Sequence, residues 1–104
     1  MSEPSNSSAR RQSKPEPSRA SFLKTELELA FTFSTIAATK FNAGNPASAE
    51  MSMANAQKSY ETVDRYLSDP KYSSYLTVEE IDALSIELRR LRDKLDGLTQ
   101  RFNK

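Results

Sequence analysis

The sequence predicts an all-α protein, an antiparallel three-helix bundle with a disordered N-terminal tail. Apolar residues recur at alternating spacings of three and four over two stretches, Ala49–Leu67 and Ile81–Phe102. This spacing places each set on one face of an α-helix. A third apolar stretch precedes Gly44-Asn45-Pro46, the best turn signal in the chain. At 104 residues the chain has room for one domain.

Residues 1–20 are expected to form the tail. They are rich in serine and proline and contain no apolar residue larger than alanine after Met1. Such a segment cannot bury enough surface to offset the entropy lost on ordering. We interpret it as a solubilising leader. The alternative is a docking or phosphorylation segment, because Ser8, Ser13 and Ser18 lie near arginine and lysine residues.

The first helix of the 21–104 bundle is predicted over residues 21–43. At 100° per residue its apolar side chains occupy an arc of roughly 220°, whereas a helix on the outside of a bundle needs only about 100° or somewhat more. This helix is therefore expected to contact two neighbours, or one neighbour and a second chain. Glu26 and Lys40 fall inside the apolar arc near its two ends, where long side chains can reach water.

The second helix is predicted over residues 46–68. Gly44 suits the left-handed position after a helix end, Asn45 suits the N-cap, and Pro46 suits the first helical position. So short a connection makes the first two helices antiparallel neighbours. Residues 68–76 are expected to form a second loop, in which Pro70 stops any continuation of the helix.

The third helix is predicted over residues 77–102. Thr77 and Glu80 have the spacing of a capping box, and Leu76 and Ile81 have the spacing of a hydrophobic staple.

The tyrosines have more than one interpretation. Tyr60 continues the apolar stripe of the second helix and is expected in the core. Tyr72 and Tyr75 lie in the second predicted loop. They either cover one end of the bundle or mark a binding surface.

Composition argues against several functions. The chain has no histidine and no cysteine, so the commonest general base, the commonest metal ligand and any thiolate nucleophile are missing. No catalytic, cofactor or metal site is predicted. With a net charge of +1 and acids mixed among the bases, no specific nucleic-acid binding is expected. No apolar run is long enough for a membrane span, and no secretory h-region is seen. Together with the absence of disulfides, this favours a cytoplasmic location.

Residues 33–56 resemble the core of a tetratricopeptide-type (TPR-like) helical hairpin. The resemblance rests on large and small residues at the positions of that motif: Phe33, Ile36, Ala37, Gly44, Ala49 and Ala56. The span 23–98 also resembles the three-helix microtubule-interacting-and-trafficking (MIT) module, through Gly44-Asn45, Ala49, Ala56, Tyr60 and the leucine-rich third helix. Both resemblances imply binding of a peptide or helix in a groove.

The resulting functional hypothesis is a non-enzymatic protein–protein interaction module that binds a partner helix or peptide. The expected surface is formed by the first and third helices, with contacts from Phe31, Phe33, Leu91, Leu95 and Leu98. The alternative is a self-associating structural protein, a homodimer through the leucine seam of the third helix together with the first helix. Molecular mass measured against concentration separates these two hypotheses. A third class, an enzyme, would need a pocket with buried, perturbed carboxylates.

Overall fold

The computed structural model describes residues 19–103. They form three long helices and one short one: α1 (Arg19–Asn42), α2 (Pro46–Ser68), α3 (Pro70–Ser73) and α4 (Val78–Phe102). The predicted all-α class is confirmed. The first helix begins two residues earlier than expected, so that the last two residues assigned to the tail are helical. The rest of the predicted tail lies outside the described residues.

The turn between α1 and α2 is built as the sequence predicts. Gly44 has φ 82°, a left-handed conformation that glycine adopts without steric cost. The Asn45 side chain accepts a hydrogen bond from the Ser48 amide at 3.3 Å, and Pro46 occupies the first turn of α2. The Asn45 amide donates to the Lys40 carbonyl at 2.9 Å. These bonds satisfy groups that helix ends leave free and fold α2 back along α1.

The second connection differs from the expected loop because it contains α3. Asp69 ends α2 by donating its amide to the Arg65 carbonyl at 3.1 Å. Its carboxylate then accepts from the Lys71 amide at 3.0 Å, which caps α3. Pro70 stands in the first turn of α3. The proline that cannot continue one helix is therefore well suited to start the next.

The start of α4 has the predicted capping box. The Glu80 amide donates to Thr77 Oγ1 at 3.0 Å, and the Thr77 amide donates to Glu80 Oε1 at 2.9 Å. Leu76, just before the cap, packs against the core.

The core lies between the three long helices. Where α1 and α2 pack together, many of the buried residues are small, such as Ala30, Ala37 and Ala56. Small side chains let two helix axes approach closely. From α4 the core receives five leucines: Leu84, Leu88, Leu91, Leu95 and Leu98. Fully burying one leucine contributes about 1.5–3 kcal/mol.

Two polar contacts show the direction in which α4 runs relative to α1. The Lys94 ammonium donates to Thr35 Oγ1 at 2.9 Å, and Arg101 Nη2 donates to Asn42 Oδ1 at 2.7 Å. Thr35 and Asn42 are separated by as many residues as Lys94 and Arg101, so α1 and α4 run parallel. Within residues 19–103, no helix has the length and apolar content needed to cross a bilayer.

Candidate functional surface

Three of the five expected contact residues lie in the core. The exposed fractions of Leu91, Leu95 and Leu98 are 0%, 2% and 5%. The leucine seam of α4 is thus used within the chain, where it packs in one cluster with Leu23 and Leu27 of α1 and with Met53 and Val63 of α2. In this conformation these three leucines have almost no exposed surface with which to contact a partner or a second copy.

The other two expected contacts, Phe31 and Phe33, are half-buried on different flanks of α1. Phe31 faces α4: the Lys94 ammonium lies 5.8 Å from the centre of its ring. It lines a groove of about 280 Å³ between α1 and α4. The groove has an apolar floor and charged rims, and is lined by Lys24, Leu27, Glu28, Phe31, Ala83, Leu84 and Glu87.

Phe33 lies on the flank of α1 that α4 does not cover. Two contacts between α1 and α2 define this flank: Lys40 Nζ donates to Ser48 Oγ at 2.8 Å, and the rings of Phe22 and Tyr66 are 5.6 Å apart. Lys40 and Phe22 are separated by as many residues as Ser48 and Tyr66. The two helices therefore keep one antiparallel register along the hairpin.

That register pairs two rows of residues along one side of the hairpin, here called the open face. The row on α1 is Phe22, Glu26, Leu29, Phe33, Ile36 and Lys40; the row on α2 is Tyr66, Thr62, Ser59, Asn55, Ser52 and Ser48. On a helical wheel the α1 row lies on the opposite flank from Thr35 and Asn42, which contact α4. Helix α4 therefore does not cover the open face.

The open face carries the surplus apolar surface of α1. The exposed fractions of Phe22, Leu29 and Ile36 are 39%, 43% and 36%. They follow one another at intervals of seven residues, which brings them to the same side of the helix. The α2 row opposite Leu29 and Ile36 is short and polar, and such side chains cannot cover a leucine or an isoleucine. The exposed residues Phe22, Leu29 and Ile36 therefore form an apolar ridge along α1, which stands higher than the short polar side chains of the neighbouring α2 row.

A third surface lies between α2 and α4 and is mainly polar. It is a notch of about 310 Å³ lined by Gln57, Tyr60, Asp64, Arg92, Leu95 and Asp96. Arg92 Nε is 4.0 Å from an Asp96 carboxylate oxygen, and both side chains are about two-thirds exposed. An exposed pair of this kind contributes little. Between residues 19 and 103 no group of three or more histidine, cysteine, aspartate or glutamate side chains is arranged to hold a metal ion.

The tyrosines divide between packing and exposure. Tyr60 packs against the core, although its side chain is only half-buried. Tyr72 stacks on Tyr66 with ring centres 4.4 Å apart and covers one end of the bundle. Tyr75 is 67% exposed, with the Arg19 guanidinium 4.3 Å from its ring centre.

The sequence pattern missed the position of the exposed ridge, although its signal was present. The apolar arc of the first helix was known to be wide, and Phe22, Leu29 and Ile36 repeat every seven residues within it. What the pattern lacked was the side on which the third helix packs. Of the five residues expected on a surface between α1 and α4, only Phe31 lines the groove there. Phe33 lies on the open face.

The fold and its surfaces define the class of protein: an all-α helical bundle in which a third long helix covers one side of an antiparallel helical hairpin. The chain matches no protein-family model, no curated protein sequence and no solved structure. The resemblance to a tetratricopeptide-type hairpin or to the MIT module therefore stays a prediction.

Proposed function

We propose that this protein is a non-enzymatic protein–protein interaction module that binds an amphipathic helix along its open face. The observation that carries the proposal is the exposed ridge of Phe22, Leu29 and Ile36 on the side of the hairpin away from α4. Apolar side chains repeating on one helix face suit a partner helix that presents a similar stripe. The missing histidine and cysteine support a binding role over a catalytic one.

The dimensions of the open face fit a helix. From Phe22 to Lys40 the row on α1 is about 27 Å long at 1.5 Å per residue. Ser52, Asn55 and Ser59 of α2 have short side chains, which allow a partner helix to approach the hairpin closely. Such a partner would contact the ridge along about five helical turns.

The expected affinity is modest. Fully burying a large apolar side chain contributes about 1.5–3 kcal/mol, and Phe22, Leu29 and Ile36 each have about 40% of their surface left to bury. The ridge therefore contributes about 2–4 kcal/mol before other contacts and the costs of association. Because about 4 kcal/mol corresponds to a dissociation constant of about 1 mM, the ridge by itself supports only millimolar binding, and tighter binding depends on the apolar surface that the partner buries in turn. Measurements therefore belong at concentrations from high micromolar to millimolar.

The test is selection of binders from a displayed library of amphipathic helical peptides against the full chain. The variant L29E/I36E places charges on the ridge, and I86E places one on the outer side of α4, where Ile86 is 56% exposed. All three positions are exposed, so far-UV circular dichroism should be unchanged. Selected peptides should bind the I86E variant as they bind the natural sequence and should lose binding to L29E/I36E. The proposal is wrong if no peptide binds or if L29E/I36E binds equally well.

A cytoplasmic location and a protein partner, rather than a specific nucleic acid, are parts of the same proposal. They are supported by the missing cysteines and by a net charge of +1 with acids and bases intermixed.

A further inference from the structure

We infer that the helix occupying the open face is α1 of a second copy of this chain, lying antiparallel about a two-fold axis at Phe33. This inference rests on the proposed function, because it names the partner of the same surface. A two-fold contact requires that whenever one residue meets another across the interface, the reverse contact also occurs. From Glu26 to Lys40 the α1 row meets this requirement in its charges and in its apolar residues; Phe22 lies beyond this symmetric stretch.

The charges of the row are arranged symmetrically about its centre. Glu26 precedes Phe33 by as many residues as Lys40 follows it. When two copies of α1 lie antiparallel with Phe33 at the axis, each Glu26 faces Lys40 of the other copy. A parallel arrangement would instead place glutamate beside glutamate and lysine beside lysine. The charges therefore favour the antiparallel pair and disfavour the parallel one.

Neither charge is neutralised within its own chain. Glu26 is half-buried at the edge of the apolar ridge, and nothing in residues 19–103 forms an ion pair or hydrogen bond with its carboxylate. Lys40 is also half-buried, and its ammonium donates to the uncharged Ser48 hydroxyl at 2.8 Å. That ammonium has three N–H donors, so two stay available for a carboxylate. A second copy supplies the missing partner to both residues at once.

The apolar residues between the charges match in the same way. Leu29 lies four residues before Phe33 and Ile36 lies three residues after it. In the antiparallel pair each Leu29 falls beside Ile36 of the second copy, and the two Phe33 rings meet at the axis. Offset or edge-to-face contact between such rings is favourable. The short α2 row leaves room beside the ridge for the second copy.

The first experiment is sedimentation equilibrium of the full chain from low to high micromolar concentration. We expect a monomer–dimer equilibrium. Each of E26K and K40E replaces two attractive pairs by two repulsive ones and should raise the dissociation constant about tenfold. The double variant E26K/K40E restores opposite charges and should return the constant to within about threefold of the natural value. The control variants K24E and E28K change charges at the α1–α4 groove and should leave the constant unchanged.

A second experiment places the axis. Since the sequence has no cysteine, F33C introduces the only thiol of the chain. When two helices pack with axes about 8–10 Å apart, residues that face each other at the two-fold axis have Cα atoms near the separation of about 4.4–6.8 Å that a disulfide needs, so mild oxidation should give a covalent dimer. The control I86C has an exposed thiol away from the open face. The axis is misplaced if F33C forms no more dimer than I86C at equal concentration.

The outcomes separate this inference from the proposed function. A chain that stays monomeric at every concentration but binds helical peptides in a manner sensitive to L29E/I36E overturns the second copy and retains the binding function. A dimer that is insensitive to E26K and K40E overturns the antiparallel arrangement. A monomer that binds no peptide overturns both.

Discussion

Gly44 and Gly97 show how one residue type serves two different situations in this chain. Gly44 has φ 82°, a conformation that costs other residues about 1–2 kcal/mol. Gly97 lies within α4, and a Cβ atom added there would meet nothing within 4 Å. The first glycine is required by the turn between α1 and α2. The second neither permits a close contact nor ends the helix.

Alanine at these two positions should therefore have opposite effects. G97A should raise the free energy of unfolding by about 0.5–1 kcal/mol, because alanine loses less backbone entropy in a helix. G44A should lower it by about 1 kcal/mol, since the left-handed backbone is strained for alanine. Urea unfolding followed by far-UV circular dichroism measures both. If G44A and G97A changed the free energy of unfolding in the same direction by similar amounts, the different roles given to Gly44 and Gly97 would be wrong.

Thr77 permits a second test at the same scale, because its hydroxyl accepts the Glu80 amide at the start of α4. T77A should cost about 1 kcal/mol of folding stability through loss of this cap. Thr99 is an exposed threonine inside the same helix, so T99A is the matched control and should change stability by less than about 0.5 kcal/mol. Thermal unfolding of the two variants gives the comparison; indistinguishable midpoints would mean that the capping box contributes nothing.

Each helix as an element has a different relation to the core. The buried face of α4 is a narrow leucine stripe, and its other faces are polar apart from single residues such as Ile86. The apolar arc of α1 is wider than the surface that its two neighbours cover, and Leu29 and Ile36 mark the uncovered edge. The excess of α1 is the reason why an interaction surface is proposed on α1 rather than on α4.

Shortening a side chain in α4 should cost stability on its buried leucine face and little on its exposed faces. L91A removes a side chain that is fully buried and should cost about 2–5 kcal/mol. I86A removes a side chain of similar size that is 56% exposed and should cost less than about 1 kcal/mol. Chemical denaturation of both variants checks the difference. A charge at Leu95 would likewise enter the core, so L95D would report on folding and not on a surface.

At the scale of the whole molecule, residues 19–103 share one core cluster to which all three long helices contribute. Both ends of the bundle are closed by aromatic contacts. Phe41 stacks on Phe102 with ring centres 4.5 Å apart at one end, and Phe22 and Tyr72 flank Tyr66 at the other. The hairpin buries Leu23, Leu27, Met53 and Val63 in the same cluster as the five leucines of α4. Its core is therefore completed only when α4 packs on it, and its stability is a property of the complete bundle.

A chain shortened to residues 1–76 should therefore fail to fold cooperatively, because it lacks the five buried leucines of α4. In the full chain, urea unfolding monitored by circular dichroism and by tyrosine fluorescence should give superimposable transitions. A cooperative transition in the shortened chain, or two separate transitions in the full one, would show that the hairpin folds by itself.

Much of the fold could be predicted from local signals. Gly44, Asn45 and Pro46 define the first turn, and Thr77 with Glu80 defines the start of α4, because each acts through bonds to residues a few positions away. The short helix α3 was missed although its start signal is local. Asp69 and Pro70 have the same N-cap and first-turn arrangement as Asn45 and Pro46, but a helix of four residues is too short to show an apolar periodicity.

What the sequence determined by itself is the three long helices, their ends to within about two residues and the apolar face of each, since these depend on interactions within a few residues. Only the tertiary structure decided which flank of α1 is covered. After an antiparallel hairpin has formed, a third helix can pack on either side of it, and a helical wheel is the same in both cases. The contacts of α4 with Thr35 and Asn42 show the side on which it packs. In that position its leucine seam is buried, and Leu29 and Ile36 stay exposed.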